Sequence, residues 1–228
     1  MIFRQLFDAA TCTYTYLLAD TDSKEAVLID PVLEQVERDI NLIEELGLTL
    51  LYSIDTHVHA DHITGSGQLR QRTACQIALS IHAGVDCADV ALQHGDTLSF
   101  GKHQLQVLET PGHTHSCISL LAASRVFTGD ALMIRACGRT DFQQGNADTL
   151  YQSIHQHLFT LDANTLVYPG HDYKGMTCSS IGEEQHHNPR LTLEHDDFID
   201  VMNHLNLPQP KRIHEAVPAN MHCGCIES

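Results

Sequence analysis

Six consecutive residues, HVHADH at positions 57–62, combine three imidazoles and one carboxylate. They follow residues 50–54, whose apolar character predicts a buried strand, and precede a glycine-rich loop. Because side chains alternate along an extended strand, His57 and His59 project to the same side, and the last aspartate and histidine lie on a turn. Imidazoles with a carboxylate suit zinc, iron or manganese. A polar capping loop with solvated histidines is the alternative, but this density of ligands at a strand end favours a metal site.

Three further candidate ligands each follow a predicted strand. His113 and His171 stand in Pro-Gly-His turns, and Asp130 ends a Thr-Gly-Asp sequence. Proline and glycine end a strand and leave the next side chain on a tight loop. Strands intermixed with helices predict an α/β fold in which two mixed β-sheets pack face to face with helices outside. Ligands from separate strand ends would then converge along one edge.

The periodicity of apolar residues places the elements that carry these ligands. Strands are predicted at residues 13–19, 26–29, 48–54, 76–79, 96–100, 103–108, 117–121, 125–128 and 165–168. Helices are predicted at residues 36–46 and 67–72, from 146 or 148 through 158, and in a last helix that Thr192 caps and that carries apolar residues from 198 to 205. From residue 207 the tail is proline-rich, and we expect it to be irregular. We expect one domain over residues 1–228.

Charge and hydropathy exclude several classes of protein. The formal net charge is −16, from 13 basic and 29 acidic residues, which argues against nucleic-acid binding. No stretch approaches the 18 apolar residues of a membrane span, so we expect no membrane association. An anionic substrate would have to meet locally clustered arginine or lysine side chains.

The eight cysteines are scattered and form no CxxC pair. The first residues show neither a long apolar run nor an arginine-rich leader. We therefore expect free thiols, most of them small core residues, in a reducing cytoplasmic compartment. Cys223 is interpreted as an exposed, inert thiol rather than a redox-sensitive one.

The ligand motifs together resemble the metallo-β-lactamase superfamily. The matching residues are the HxHxDH run at 57–62, His113 in Pro-Gly-His-Thr, Asp130 in Thr-Gly-Asp and His171 in Pro-Gly-His-Asp. Their order and spacing fit over residues 13–172. The resemblance implies an αββα sandwich with a metal site at the edge between the two sheets.

Other segments are similar to one family of that superfamily, the persulfide dioxygenases. They are IRACGRTDFQQG at 134–145, NPRL at 188–191 and AVPANM at 216–221, so the resemblance covers nearly the whole chain. It implies oxidation of glutathione persulfide by O₂ and water to sulfite and glutathione. His115 and Lys174 look less typical of the family, and neither replaces a metal ligand.

The resemblance also implies the metal and its ligands. One Fe(II) per chain would be held by His57, His113 and Asp130, a set of two histidines and one carboxylate that leaves positions open for substrate and O₂. The remaining candidates would be hydrogen-bond partners of these ligands or, alternatively, ligands of a second metal; they are His59, Asp61, His62 and His171. The second arrangement is that of binuclear-zinc thioester hydrolases of the glyoxalase II type. Ligand count alone leaves both open.

Glutathione carries two carboxylates, so the substrate would need cationic contacts. The candidate substrate-binding residues are Arg139, Tyr173, Lys174 and Arg190. For the arginines, a surface or intramolecular salt bridge is the alternative. A separate sulfurtransferase or quinone oxidoreductase would supply the persulfide, and a homodimer is compatible with the sequence. A non-catalytic metal-dependent sensor ranks last, because none of the three ligands is missing.

Overall fold

A computed structural model describes residues 1–225. Its strands are β1 Ile2–Asp8, β2 Thr13–Ala19, β3 Glu25–Ile29, β4 Thr49–Ile54, β5 Gln76–Ser80, β6 Val90–Leu92, β7 Thr97–Phe100, β8 His103–Glu109, β9 Ile118–Ala122, β10 Arg125–Gly129, β11 Leu132–Met133, β12 Ala136–Cys137, β13 Leu166–Pro169 and β14 Ser179–Ser180. Its α-helices are α1 Val36–Glu45, α2 Ser66–Thr73, α3 Ala147–Ser153, α4 Ile181–His187, α5 His195–Asn203 and α6 Ile213–Asn220.

The chain forms two compact units. Within the described residues, unit 1 contains residues 1–92, 97–104 and 209–225, and unit 2 contains residues 93–96 and 105–208. Two six-stranded sheets occur, one ordered β1-β2-β3-β4-β5-β6 and the other β14-β13-β10-β9-β8-β7, with β11 and β12 as a separate pair. Both large sheets mix parallel and antiparallel neighbours, which confirms the predicted α/β class. One domain over the whole chain stays a prediction.

In unit 1, strands β3, β4, β5 and β6 run parallel. Helix α1 connects β3 to β4, and its buried residues Val36, Ile40 and Ile43 lie on one face because they recur at helical spacing. They pack with Leu17 and Leu28 of the sheet. The carboxyl ends of β3 and β4 therefore share one edge of the sheet, and the HVHADH run begins there.

In unit 2, β10 and β13 are parallel neighbours. Asp130 directly follows β10, and His171 follows β13 by two residues, so this pairing places both at one sheet edge. The predicted apolar stripe of Leu150, Ile154 and Leu158 is buried in the unit 2 core. It continues from α3 into a π-helical turn over Ile154–Leu158.

Two predictions near the end of the chain are wrong. Helix α5 begins at His195 after an extended Glu194, and the Thr192 hydroxyl donates to the carbonyl oxygen of Asn188 instead of capping the helix. The tail also contains α6, which has Pro218 inside it. Proline removes a backbone donor and disfavours helix interiors, which is why the pattern suggested irregular structure. Among the described residues, no helix is both long and apolar enough to cross a bilayer.

The prediction of free thiols is wrong for one pair. Cys87 and Cys223, separated by 136 positions, form a disulfide. Cys223 is also buried, 1% exposed, rather than exposed as predicted. No short spacing motif in the sequence indicates this disulfide, because only the packing of α6 and the turn after it brings the two sulfurs together. Six other cysteines are free thiols.

Candidate metal centre

His57 lies buried just beyond the end of β4, and its hydrogen bonds define which ring nitrogen carries the proton. Thr56 Oγ1 is 2.9 Å from Asp30 Oδ2 and 3.0 Å from His57 Nδ1. A hydroxyl has one proton, and a carboxylate only accepts, so Thr56 donates to Asp30 and His57 Nδ1–H donates to Thr56. His57 Nε2 is left with its lone pair, which is the form that binds a metal.

Asp30 is a further polar residue of this part of unit 1, and the sequence analysis did not single it out as a candidate. It is 1% exposed, and its Oδ1 also accepts from the backbone N–H of Thr56 at 2.7 Å. Its φ of 51° lies in the left-handed region, at the Asp-Pro step after β3. The usable signal is its place at the end of a strand that neighbours the one leading to His57.

His59 is buried between two carboxylates. Its Nε2 lies 3.2 Å from Asp30 Oδ1 and 3.7 Å from Asp55 Oδ1. Burial alone would lower the pKa of His59, but these carboxylates raise it to about 9. Burial raises the pKa of Asp55 to about 6 against the opposing effect of His59. His59 Nδ1 is buried and has no hydrogen-bond partner among residues 1–225.

The last two residues of the motif form a local pair. His62 Nδ1 lies 3.0 Å from Asp61 Oδ2 and 3.5 Å from the hydroxyl of Thr13 on β2. His62 is fully buried, whereas the Asp61 side chain is 28% exposed. His59, Asp61 and His62 each offer one ligand atom, and these atoms lie within 4.8 Å of one another. All four candidate ligands of the motif thus lie on one loop of unit 1.

In unit 2, His113 and Asp130 face each other. His113 Nδ1 lies 2.7 Å from the carbonyl oxygen of Arg139, which can only accept, so Nδ1 carries the proton and Nε2 keeps the lone pair. That Nε2 is 3.8 Å from Asp130 Oδ2. The other carboxylate oxygen, Asp130 Oδ1, lies 2.7 Å from Nδ1 of the buried His171. Each candidate ligand thus has one atom held by a partner, Nδ1 in His113 and Oδ1 in Asp130.

Close backbone packing fixes this half of the site. A Cβ on Gly138 would lie 2.3 Å from the carbonyl oxygen of Asp130 and 2.7 Å from His113 Cγ. The Gly138 N–H donates to that same carbonyl at 2.7 Å. Any residue larger than glycine at position 138 would therefore move the loop. Glycine in the CGRT segment, residues 137–140, thus allows the backbone to pack against the His113 ring.

The candidate substrate residues differ in how they are engaged. The Arg139 guanidinium donates to both oxygens of Asp141 and to the carbonyl oxygens of residues 207 and 208. Arg190 donates to the carbonyl oxygen of Cys137 at 3.0 Å and has no carboxylate partner within the described part of the chain. Tyr173 is 69% exposed, its ring parallel to that of His171 at 6.0 Å, and Lys174 is exposed beside it.

Comparisons with known proteins place the chain in a family. The model of the metallo-beta-lactamase superfamily matches residues 12–171. A protein of Mus musculus named persulfide dioxygenase ETHE1, mitochondrial, is 55% identical over 227 residues, 98% of this chain and 89% of that protein.

Solved structures agree with this placement. The crystal structure of ETHE1 from Myxococcus xanthus is 57% identical, with a TM-score of 0.97 over 99% of this chain and 100% of that one. A metallo-beta-lactamase from Staphylococcus aureus is 26% identical, with a TM-score of 0.90 over 97% of this chain and 71% of that one. These matches confirm the predicted fold. The chain belongs to the metallo-β-lactamase superfamily and, within it, to the persulfide dioxygenase family.

Proposed function

We propose that this protein is an iron-dependent persulfide dioxygenase. It oxidises glutathione persulfide with O₂ and water to sulfite and glutathione, and it uses one Fe(II) per chain held by His57, His113 and Asp130. The named relatives support the reaction class. The arrangement of hydrogen bonds around the three ligands supports the metal site.

The observation that carries the proposal is that each ligand already has a partner on its other polar atom. A threonine hydroxyl holds Nδ1 of His57, a backbone carbonyl holds Nδ1 of His113, and an imidazole holds Oδ1 of Asp130. Such partners fix the tautomer and orientation of metal ligands. Two imidazole nitrogens and one carboxylate oxygen would bind the metal, and this donor set fits Fe(II) with positions left open. Bound Fe(II) would supply the redox chemistry with O₂ that zinc lacks.

The protein's own residues would bind and orient the substrate. Glutathione persulfide is an anion, and the chain carries a net charge of −16, so bulk electrostatics would not attract it. We assign the substrate contacts to Lys174, Tyr173 and Arg190, because the first two side chains are exposed and Arg190 has no carboxylate partner within the described part of the chain. Arg139 instead presents its carbonyl to His113 while its side chain holds the segment at 207–208.

A binuclear-zinc thioester hydrolase of the glyoxalase II type is the second candidate. The cluster of His59, Asp61 and His62 favours it, because these residues could hold a second metal. The buried Nδ1 of His59, which has no partner in the described chain, is a further donor atom. This candidate predicts two metals per chain and hydrolysis of glutathione thioesters.

The deciding experiment is metal analysis of protein matured with both iron and zinc, followed by O₂ uptake with glutathione persulfide. We expect one iron per chain and persulfide-dependent O₂ uptake. Alanine at 57, 113 or 130 should abolish both together, and alanine at the exposed His204 should change neither. Two zincs per chain with thioester hydrolysis and no O₂ uptake would support the hydrolase instead.

The cellular location of the reaction, the source of the persulfide and the oligomeric state stay predictions. The Mus musculus relative is mitochondrial by name, whereas a cytoplasmic location is what the sequence suggested here. A persulfide supplied by a separate sulfurtransferase or quinone oxidoreductase, and assembly as a homodimer, are likewise predictions.

A further inference from the structure

The AVPANM segment at 216–221 is part of the family resemblance, yet none of its residues is a candidate ligand. Its asparagine, Asn220, ends α6 and is 3% exposed. Asn220 Nδ2 donates to the carbonyl oxygens of His59 at 2.9 Å and His62 at 2.8 Å. Its Oδ1 accepts from the backbone N–H of Thr64 at 2.9 Å. One buried amide thus holds three backbone groups of the loop that carries the HVHADH motif.

The segment that presents Asn220 is itself fixed to unit 1. The disulfide between Cys87 and Cys223 closes the turn after α6, and the carbonyl oxygen of Cys223 accepts from the N–H of Gly67 at 2.9 Å. Gly224 packs so closely that a Cβ there would lie 2.1 Å from the carbonyl oxygen of Thr64. Val58 packs in the same apolar cluster as Cys223. These contacts fix the segment that carries the Asn220 amide against unit 1.

We propose that Asn220 is a positioning residue for the metal-ligand loop. It fixes the backbone at residues 59, 62 and 64, and so it holds the loop that follows His57 in one conformation. The amide suits this role because it donates twice and accepts once within one plane. Aspartate has the same shape, but one of its acceptor oxygens would replace Nδ2 and face the carbonyl oxygens of His59 and His62. The identity of the metal in this inference rests on the proposed function. The role of Asn220 in positioning the loop does not.

The consequence is faster loss of metal when the amide is removed. Alanine at 220 leaves two buried carbonyls and one N–H without partners, and the loop must shift to satisfy them. Removing a group that orients metal ligands typically costs 10–100-fold in metal affinity. We expect an effect of about that size for Asn220→Ala and a larger one for Asn220→Asp.

The test measures the rate at which Fe(II), and separately Co(II), passes from the loaded full-length protein to a chelator. Gln185→Ala is the matched control, because Gln185 is also a helix-borne amide that donates to a backbone carbonyl, that of Phe159 at 2.6 Å. Thermal unfolding and the Co(II) absorption spectrum are recorded for every variant. We expect faster release and an altered spectrum for Asn220→Ala, and unchanged release for Gln185→Ala.

Release from folded Asn220→Ala at the wild-type rate would overturn the inference, as would equally fast release from Gln185→Ala. If Asn220→Ala does not fold, Asn220→Ser keeps one donor and should release metal faster than the wild type; wild-type release would again overturn the inference. Fast release from the Asn220 variants, in a protein that shows no persulfide-dependent O₂ uptake, would support the inference while rejecting the proposed function.

Discussion

Nδ1 of His171 lies 2.7 Å from Oδ1 of Asp130, so the carboxylate is held from one side while its second oxygen faces His113. The adjacent parallel strands β10 and β13 produce this relationship by ending at the same sheet edge. The contact favours the first of the two roles that the sequence left open for His171, that of a hydrogen-bond partner to Asp130, and this role stays a proposal. His57 and His113 likewise each have one ring nitrogen, Nδ1, hydrogen-bonded to a partner.

The role of His171 can be tested by its removal. We expect His171→Ala to weaken metal binding about 10–100-fold without changing the number of metals per chain, because the carboxylate of Asp130 loses its orientation. Metal titration with elemental analysis measures both quantities. A change from two metals to one in this variant would make His171 a ligand of a second metal.

Gly138→Ala should disrupt metal binding more than folding. A Cβ at this position would lie 2.3 Å from the Asp130 carbonyl oxygen and 2.7 Å from the His113 ring, so the loop behind both ligands must move. Gly182→Ala is the control, since its Cβ would meet Ala163 at 3.0 Å, away from any candidate ligand. Metal content and the unfolding temperature are compared for both variants. Full metal occupancy in Gly138→Ala would contradict the argument.

The substrate contacts predict kinetic defects with the metal retained. Arg190→Ala should lower kcat/KM for glutathione persulfide by the equivalent of about 1.5–3 kcal/mol, the value of a hydrogen bond to a charged group. Lys174→Ala should lower kcat/KM by less, because Lys174 is exposed. Arg139→Ala should have a smaller effect on KM, because that guanidinium is already bound to Asp141. Steady-state O₂ uptake with parallel iron analysis gives the answer. Unchanged kcat/KM in both Arg190→Ala and Lys174→Ala would remove those residues from the binding site.

The buried carboxyl of Asp39 should make the free energy of unfolding depend on pH. The side chain is buried in α1, and burial raises its pKa to about 6 although Arg38 donates to its Oδ1 at 2.8 Å. The folded pKa exceeds the unfolded value of 3.8, so the folded state binds more protons between these pH values. The free energy of unfolding should therefore fall by about 2–3 kcal/mol as pH rises from 4 to 7.

Asp39→Asn should remove this fall, and Glu45→Gln, at an exposed position of the same helix, should leave it in place. Urea unfolding at a series of pH values measures the difference between each variant and the wild type. Parallel pH profiles for wild type and Asp39→Asn would show that the carboxyl of Asp39 titrates normally.

The disulfide predicts a stability that depends on reductant. Linking Cys87 to Cys223 constrains the unfolded chain over 136 positions, which the chain-entropy model values at about 4–5 kcal/mol. Cys87→Ser should lower the free energy of unfolding without reductant and match the wild type with dithiothreitol present. Cys178→Ser, at an exposed free thiol, should behave as wild type throughout. Thiol titration of the unreduced, denatured wild type should find six thiols; eight would contradict the disulfide.

Local patterns in the sequence were sufficient to find the candidate ligands and the elements that carry them. The HVHADH run and the Pro-Gly-His turns mark strand ends, because proline, glycine and the alternation of apolar residues act over a few positions. Those signals predicted β2, β4, β10 and β13 close to their observed bounds. The family resemblance extended the prediction to the chemistry.

Only the tertiary structure decided which groups hold those ligands. Asp30, at the end of β3, fixes the Thr56 hydroxyl beside His57, and His171, which follows β13, is the partner of Asp130. Asn220 at the end of α6 reaches His59 across 161 positions. Such pairs depend on how the chain packs, so no short pattern encodes them. The same reason explains why the disulfide at Cys87 was missed and why the guanidinium of Arg139 is engaged within the protein. Residue types and spacing determine which atoms can bind a metal, whereas packing determines which of those atoms remain available.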